Sequence, residues 1–173
     1  MSTMTRRAAL RAIAAAGGLL GLGVVGAGCG GRRSGPMMGG MMGGASSADM
    51  STYMDLFGRH TEIRRTVEEI HGGVRTVTES DAPELVAQLQ DHVASMYEHL
   101  ERGNAVTCMS KTLPTLFRNA GGYRRRLTTT PNGVVVTETS PDPRLAKIIR
   151  EHAHEVTGFV REGMPAMMQG MMR

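Results

Sequence analysis

The chain has 173 residues, no tryptophan and 3% aromatic residues, so its core must be built from aliphatic side chains. That length allows one ordinary domain with additional segments. The formal net charge is +4, but five arginines lie in the first 33 residues, and removing their charges from +4 leaves −1. The net positive charge therefore comes from the N-terminal arginines, and nucleic acid is not an expected partner.

The first 29 residues have the layout of an export signal. A basic start precedes an apolar run of Ala, Leu, Gly and Val, which ends in small residues and Cys29. The stretch TRRAALR at 5–11 resembles the twin-arginine export motif, with Ala9 where that motif has an aromatic residue. The segment GAGC at 26–29 resembles the lipobox of bacterial lipoproteins, although it begins with glycine where leucine is typical.

This resemblance implies an exported lipoprotein that lies in the periplasm or on the outer cell surface and is attached to the membrane through lipidated Cys29. A plain cleaved signal and an uncleaved anchor are the alternatives. If Cys29 is not lipidated, a disulfide with Cys108 becomes possible.

Two short segments contain nine of the fifteen methionines. One is MMGGMMGG at 37–44, within a Gly/Met/Ser linker predicted at 30–50, and the other is MPAMMQGMM, within a Met-rich tail at 164–173. Thioether clusters suit weak, exchangeable capture of Cu(I). The segments resemble the Met-rich stretches of exported copper-handling proteins, which implies a role in copper transfer. A low-complexity spacer and an amphipathic tail that packs on the domain are the alternatives.

Residues 56–103 and 116–163 align without a gap at an offset of 60. The identical pairs include Arg65/Arg125, Gly73/Gly133, Ser80/Ser140, Pro83/Pro143 and His92/His152. Two copies are too few for a solenoid. The repeat instead predicts one duplicated domain at 51–163 with pseudo-twofold symmetry.

Each copy predicts a short helix, two strands joined by a tight turn, and a long helix. The turn signal is PNG at 131–133 in the second copy. The first copy has HGG there, and its segment 63–70 could also be helical. Each long helix opens with a proline and carries one apolar stripe. The expected helices are 54–62, 83–102, 113–120 and 143–162. The predicted fold is α+β, a tandem αββα repeat with about four antiparallel strands packed against the two long helices.

His92 and His152 occupy equivalent positions of the two long helices. A pseudo-twofold axis would bring two such imidazoles together, which is a common way to build a metal site in a helical layer. His92, Met96 and His99 share one helix face. Nitrogen and sulfur ligands favour copper, especially Cu(I). The sequence therefore predicts a copper-binding protein that is not an enzyme, with these candidate ligands: His92, His152, Cys108, Met96, Met109 and His99.

Several alternatives stay open. The copper site, or a bound haem, could serve electron transfer. The protein could also be a structural or ligand-binding envelope module whose histidines only pack, and Cys108 could be an inert thiol or an intermolecular bridge. The arginines at 64–65 and 124–126 either bind an anion or form solvated strand faces. No nucleotide loop, hydrolase elbow or HExxH motif is present. The expected partners are a metal ion, the membrane through the anchor, and an envelope copper or redox protein.

Overall fold

The first helix of the domain, α1 (Ser47–Gly58), begins at a reciprocal cap. The Asp49 amide donates to Ser46 Oγ at 3.1 Å, and the Ser46 amide donates to Asp49 Oδ2 at 2.8 Å. The helix therefore starts and ends earlier than the expected 54–62, and a 3₁₀ turn, His60–Glu62, follows it. The computed structural model describes residues 45–106 and 109–171, with backbone only for 167 and 169–171. The predicted signal, most of the predicted linker and Cys108 lie outside these residues.

Four strands form one antiparallel sheet, as predicted. They are β1 (Ile63–Ile70), β2 (Gly73–Ser80), β3 (Arg124–Thr130) and β4 (Gly133–Thr139). Their order is β1-β2-β4-β3, so each hairpin contributes one central and one edge strand. The segment whose sequence left helix and strand open, 63–70, is a strand. Its residues alternate between the inner and outer faces of the sheet, which suits a strand packed on one side.

The long helices are α2 (Pro83–Arg102) and α4 (Pro143–Glu162), with the predicted bounds. Each has proline in its first turn and ends at a glycine with positive φ, 69° at Gly103 and 63° at Gly163. Two short helices are α3 (Leu113–Arg118), inside the expected 113–120, and α5 (Met164–Met171), inside the predicted Met-rich tail. Across the described residues, no helix combines the length and apolar character needed to cross a membrane.

Each long helix packs against the hairpin that is distant from it in sequence. Helix α2 contacts β4 and β2, and α4 contacts β1 and β2. Gln90 of α2 donates to the carbonyls of Thr130 and Gly133 at 3.0 and 3.2 Å, at the turn between β3 and β4. Arg150 of α4 donates to the Ile70 carbonyl at 3.1 Å, at the turn between β1 and β2. The helices therefore tie the two hairpins together.

The strands bury one face of the sheet beneath these helices. The inward side chains of the central strands are Val74, Thr76, Thr78, Val134, Val136 and Glu138. One apolar cluster joins Val74 to Leu116 and Ile149, and a second joins Ile63 to Leu85 and Leu89. The core is aliphatic, as the composition requires, yet threonines and a glutamate stand on its floor.

Glycine is required where the central strands approach each other. A Cβ on Gly73 would overlap the backbone carbonyl oxygen of Glu138, and a Cβ on Gly133 would overlap that of Thr78. Backbone atoms of a paired strand cannot move aside without breaking the ladder. These two glycines therefore permit the close β2–β4 pairing that joins the hairpins.

We predict that Gly73→Ala lowers the free energy of unfolding by about 3 kcal/mol, because an added methyl group overpacks a backbone contact. Gly58→Ala is the control, since nothing lies within 4 Å of a Cβ there, and it should stabilise by about 0.5 kcal/mol. Urea denaturation of both variants measures the difference. Equal effects of the two substitutions would contradict the proposed role of Gly73.

Candidate functional site

A cavity of about 230 Å³ lies between the inner face of the sheet and helices α1, α2 and α4. Most of its lining is apolar, with Val74, Val134 and Val136 on the floor and Leu89 and Val156 on the walls. Four of the six predicted metal ligands also line it: His92, Met96, Met109 and His152. A mostly apolar pocket with a few convergent polar groups is the usual form of a binding site.

His92 reaches the cavity from α2 with its ring against Tyr53. The two rings meet edge to face, with centroids 5.1 Å apart. Burial lowers the pKa of His92 to about 4, and repulsion from a protonated His152 adds to this, while Asp49 opposes it. Neither ring nitrogen has a hydrogen-bond partner among the described residues. His92 is therefore a neutral imidazole at pH 7, the form that binds metals.

Two thioethers accompany this imidazole. Met96 follows His92 by one helical turn and lies on the same side of α2. The Tyr53 hydroxyl donates to Met96 Sδ at 3.4 Å. Met109 has φ of 66°, which is uncommon for a residue with a side chain. Met109 itself thus has a strained backbone conformation beside the cavity.

His152 is held in one orientation by a carboxylate and a hydroxyl. Its Nδ1 lies 2.8 Å from Thr112 Oγ1 and 3.7 Å from Glu155 Oε2. Glu155 also accepts hydrogen bonds from the Ser110 and Thr112 hydroxyls, at 2.6 and 2.5 Å, and from the Lys111 amide at 2.8 Å.

These contacts keep the Glu155 carboxylate ionised and determine which ring nitrogen of His152 points away from it. Burial opposes the ionised form of Glu155, but the hydrogen bonds from His152, Ser110, Thr112 and Lys111 together lower its pKa to about 2. No partner of His152 Nε2 is seen among the described residues. Metal-ligating histidines are commonly oriented in this way, through the ring nitrogen that does not bind the metal.

The remaining predicted ligands are placed differently. His99 does not line the cavity, because its Nε2 lies 3.4 Å from Asp49 Oδ2, where it links α2 to α1. Cys108 lies outside the described residues, although its neighbours Val106 and Met109 both line the cavity. Within residues 45–106 and 109–171, no group of three or more His, Cys, Asp or Glu side chains is arranged to hold a metal ion. A metal site in the described cavity would depend on methionine sulfur.

The cavity also contains Tyr97, Tyr123 and Glu138, which the sequence did not single out, and Arg65, one of the arginines considered for anion binding. Tyr97 donates its hydroxyl to Glu138 Oε1 at 3.0 Å, and Glu138 is only 8% exposed. Arg65 also lines the cavity, and burial lowers its pKa to about 10. Burial and the nearby Glu138 carboxylate raise the pKa of Tyr123 to about 12. The sequence signal that could have indicated Arg65 is strand alternation, because adjacent residues of a strand face opposite sides of the sheet and one of Arg64 and Arg65 must face inward.

The other three histidines fall in three environments. His60 lines the cavity and its Nδ1 lies 2.9 Å from the Val160 carbonyl oxygen. His71 is exposed in the turn between β1 and β2. His154 has a side chain 64% exposed, and its Nε2 lies 3.6 Å from Glu69 Oε1. His154 is thus a natural control for His152 on the same helix.

A scan against protein-family models finds no match to the chain, and searches of curated proteins and of solved structures find no significant similarity. The cavity geometry and the sequence therefore carry the functional argument.

We predict that Glu155→Gln lowers the free energy of unfolding at pH 7 by about 2 kcal/mol. The folded pKa of Glu155 is about 2 and its usual value is 4.5, so its contribution is fully present above pH 4.5 and is lost as pH falls towards 2. Urea denaturation at pH 7, 4 and 3 measures this. Glu151→Gln is the control, because Glu151 forms only an exposed pair with Lys147. Parallel loss of stability in wild type and Glu155→Gln between pH 4.5 and 2 would contradict the assignment.

Proposed function

We propose that the protein is a non-enzymatic Cu(I)-binding protein of the cell envelope. One observation carries the proposal: His92 and His152, from two different helices, line the same cavity as Met96 and Met109. His92, His152 and Met96 are the proposed core ligands. His99 is left out of the site, because its ring faces Asp49 instead.

The donor set suits Cu(I) for chemical reasons. Thioethers are soft ligands and imidazole is a borderline ligand that suits copper, and no carboxylate among the proposed ligands would favour calcium or magnesium. His92 needs no proton removed at pH 7, and the Glu155–Thr112 pair fixes the His152 ring with Nε2 free. Cys108 is the proposed thiolate ligand of the site, because the residues on both sides of 107–108 line the cavity.

We also propose that the domain is a tandem duplication with a pseudo-twofold axis between β2 and β4. Matching contacts support this. The Ser80 amide donates to the Asn132 carbonyl at 2.9 Å, and the Ser140 amide donates to the Gly72 carbonyl at 2.8 Å. Under this symmetry His92 and His152 are equivalent. The site itself is asymmetric, since Val156 stands where the first copy has Met96.

Export and anchoring complete the proposal. The twin-arginine-like signal would deliver the chain across the membrane, and lipid on Cys29 would retain it there. The methionines of 37–44 and 164–172 would exchange Cu(I) between the cavity and an envelope copper or redox partner. Met168 is 54% exposed on α5, which suits such exchange.

The test is a Cu(I) titration of the full chain under reducing conditions, in competition with a chromophoric chelator. In a background variant, leucine replaces the nine methionines of 37–44 and 164–172, so that the measured Cu(I) binding comes from the cavity. On this background we predict one tightly bound Cu(I), and at least about 100-fold weaker binding in His92→Ala/His152→Ala, because two ligands are lost.

His154→Ala is the matched control and should bind as the background does. Unchanged affinity in the double variant, with the fold verified by circular dichroism, would refute the cavity site. Binding that requires the tail methionines would confine the copper chemistry to the two Met-rich segments.

A further inference from the structure

We infer that the same cavity binds a small apolar carboxylic acid, with the Arg65 guanidinium as the group that recognises its carboxylate. This is a second ligand, distinct from the metal ion proposed above, and it depends on different residues.

The first observation is a cavity-lining arginine whose hydrogen bonds are incomplete. Arg65 stands on β1 with its side chain among the cavity-lining residues, and its Nη1 donates to Thr78 Oγ1 at 2.6 Å. Its Nε is fully enclosed and has no hydrogen-bond partner among the residues that the structure describes. Enclosed donors without a partner are rare in proteins, because each has lost its water without a replacement. A ligand carboxylate would not reach this enclosed nitrogen directly, but it would add acceptors to the guanidinium, which lines the cavity.

The second observation is the charge around Arg65. No carboxylate of the described residues lies within ion-pair distance of it, and the nearest acidic influence on its pKa is Glu138. Glu138 accepts the hydroxyl hydrogen bond of Tyr97, and its direct cross-strand neighbour is Arg125. Arg65 and Arg125 therefore lie near one carboxylate, and neither forms an ion pair with it among the described residues. Arg65 thus carries a positive charge that no described carboxylate neutralises by direct contact.

The third observation is the shape and character of the space. A cavity of ~150 Å³ lined by apolar side chains can hold benzene, and this one measures about 230 Å³. It would accept a carboxylate with a short aliphatic or aromatic body of roughly eight to ten heavy atoms. The planar guanidinium matches a carboxylate through paired N–H donors. The valine floor favours such an acid over a phosphate, which has no apolar part to bury.

The neighbouring arginine provides an internal comparison. Arg64 precedes Arg65 on β1 but lies on the outer face, where it forms an exposed ion pair with Asp81. The two residues have the same side chain and adjacent positions. They differ in the face of the sheet that they occupy, so only Arg65 is available to a ligand in the cavity.

The experiment is isothermal titration of the full chain, without copper, using octanoate as the probe and 1-octanol as the uncharged analogue with the same tail. We expect stoichiometric octanoate binding, at least tenfold weaker binding of octanol, and at least tenfold loss of octanoate affinity in Arg65→Met. Arg64→Met should bind octanoate as wild type does. Glu138→Gln should bind it more tightly, because a competing negative charge is removed.

Absence of octanoate binding, equal affinity for octanoate and octanol, or full affinity in Arg65→Met would each overturn the inference. Circular dichroism and thermal unfolding check that Arg65→Met is folded. Arg65→Lys gives a second reading, since it keeps the charge without the planar fork, and intermediate affinity is expected.

Failure of this inference is separable from failure of the copper site. Arg65→Met should leave Cu(I) affinity unchanged, and His92→Ala/His152→Ala should keep octanoate binding within a few-fold. Loss of both ligands in each variant would show that neither residue set is selective, and would overturn the assignment of Arg65 as the carboxylate group.

Discussion

The pairing of β2 with β4 is the constraint on which the rest of the molecule depends. It joins two hairpins that are separate in sequence into one sheet, over a register from Gly73↔Thr139 to Glu79↔Gly133. The ladder can form only because a glycine stands at each end, where a side chain would meet a backbone carbonyl. Once the strands pair, α2 and α4 must share one face of the sheet, because their hairpins bury the same side.

That shared face is not filled by side chains. With 3% aromatic residues the protein has few large groups to close the space beneath two long helices. The floor instead carries valines, two threonines and Glu138, and the helices contribute imidazole and thioether groups. A cavity with an apolar majority and a small set of polar atoms results. The polar atoms are costly to bury unless they have partners, so those without partners indicate where a ligand would bind.

The two proposed ligands depend on residues of opposite electrostatic character within one cavity. At the histidines, burial keeps His92 neutral and Glu155 fixes His152, which leaves nitrogen lone pairs for a soft cation. At Arg65, a guanidinium lines the cavity without an ion-pair partner among the described residues, which suits an anion. Glu138 and Glu155 separate these roles. Glu138 accepts the Tyr97 hydroxyl and lies across the ladder from Arg125, whereas Glu155 is held by hydroxyl and amide donors beside His152.

Local sequence patterns determined the secondary structure. Proline in the first turn and glycine after the last turn predicted the bounds of α2 and α4. The first half of the domain was ambiguous, and its hairpin was predicted from the clear PNG turn at the matching position of the second half. Residues 63–70 are indeed a strand. The helix predicted at 54–62 was misplaced, because the start of α1 depends on the reciprocal Ser46–Asp49 cap and not on apolar spacing.

The site was only partly within reach of the sequence. The alignment of the two halves at an offset of 60 predicted equivalent positions for His92 and His152, and both line one cavity. Strand alternation could indicate that one arginine of a pair faces inward, but not which one, since that depends on the register of β1 against β2. Tertiary structure alone decided that His99 turns to Asp49, that no described carboxylate pairs with Arg65, and that a cavity exists. Those outcomes depend on which surfaces meet across the β2–β4 pairing, and distances between chain-remote side chains are not encoded in any local pattern.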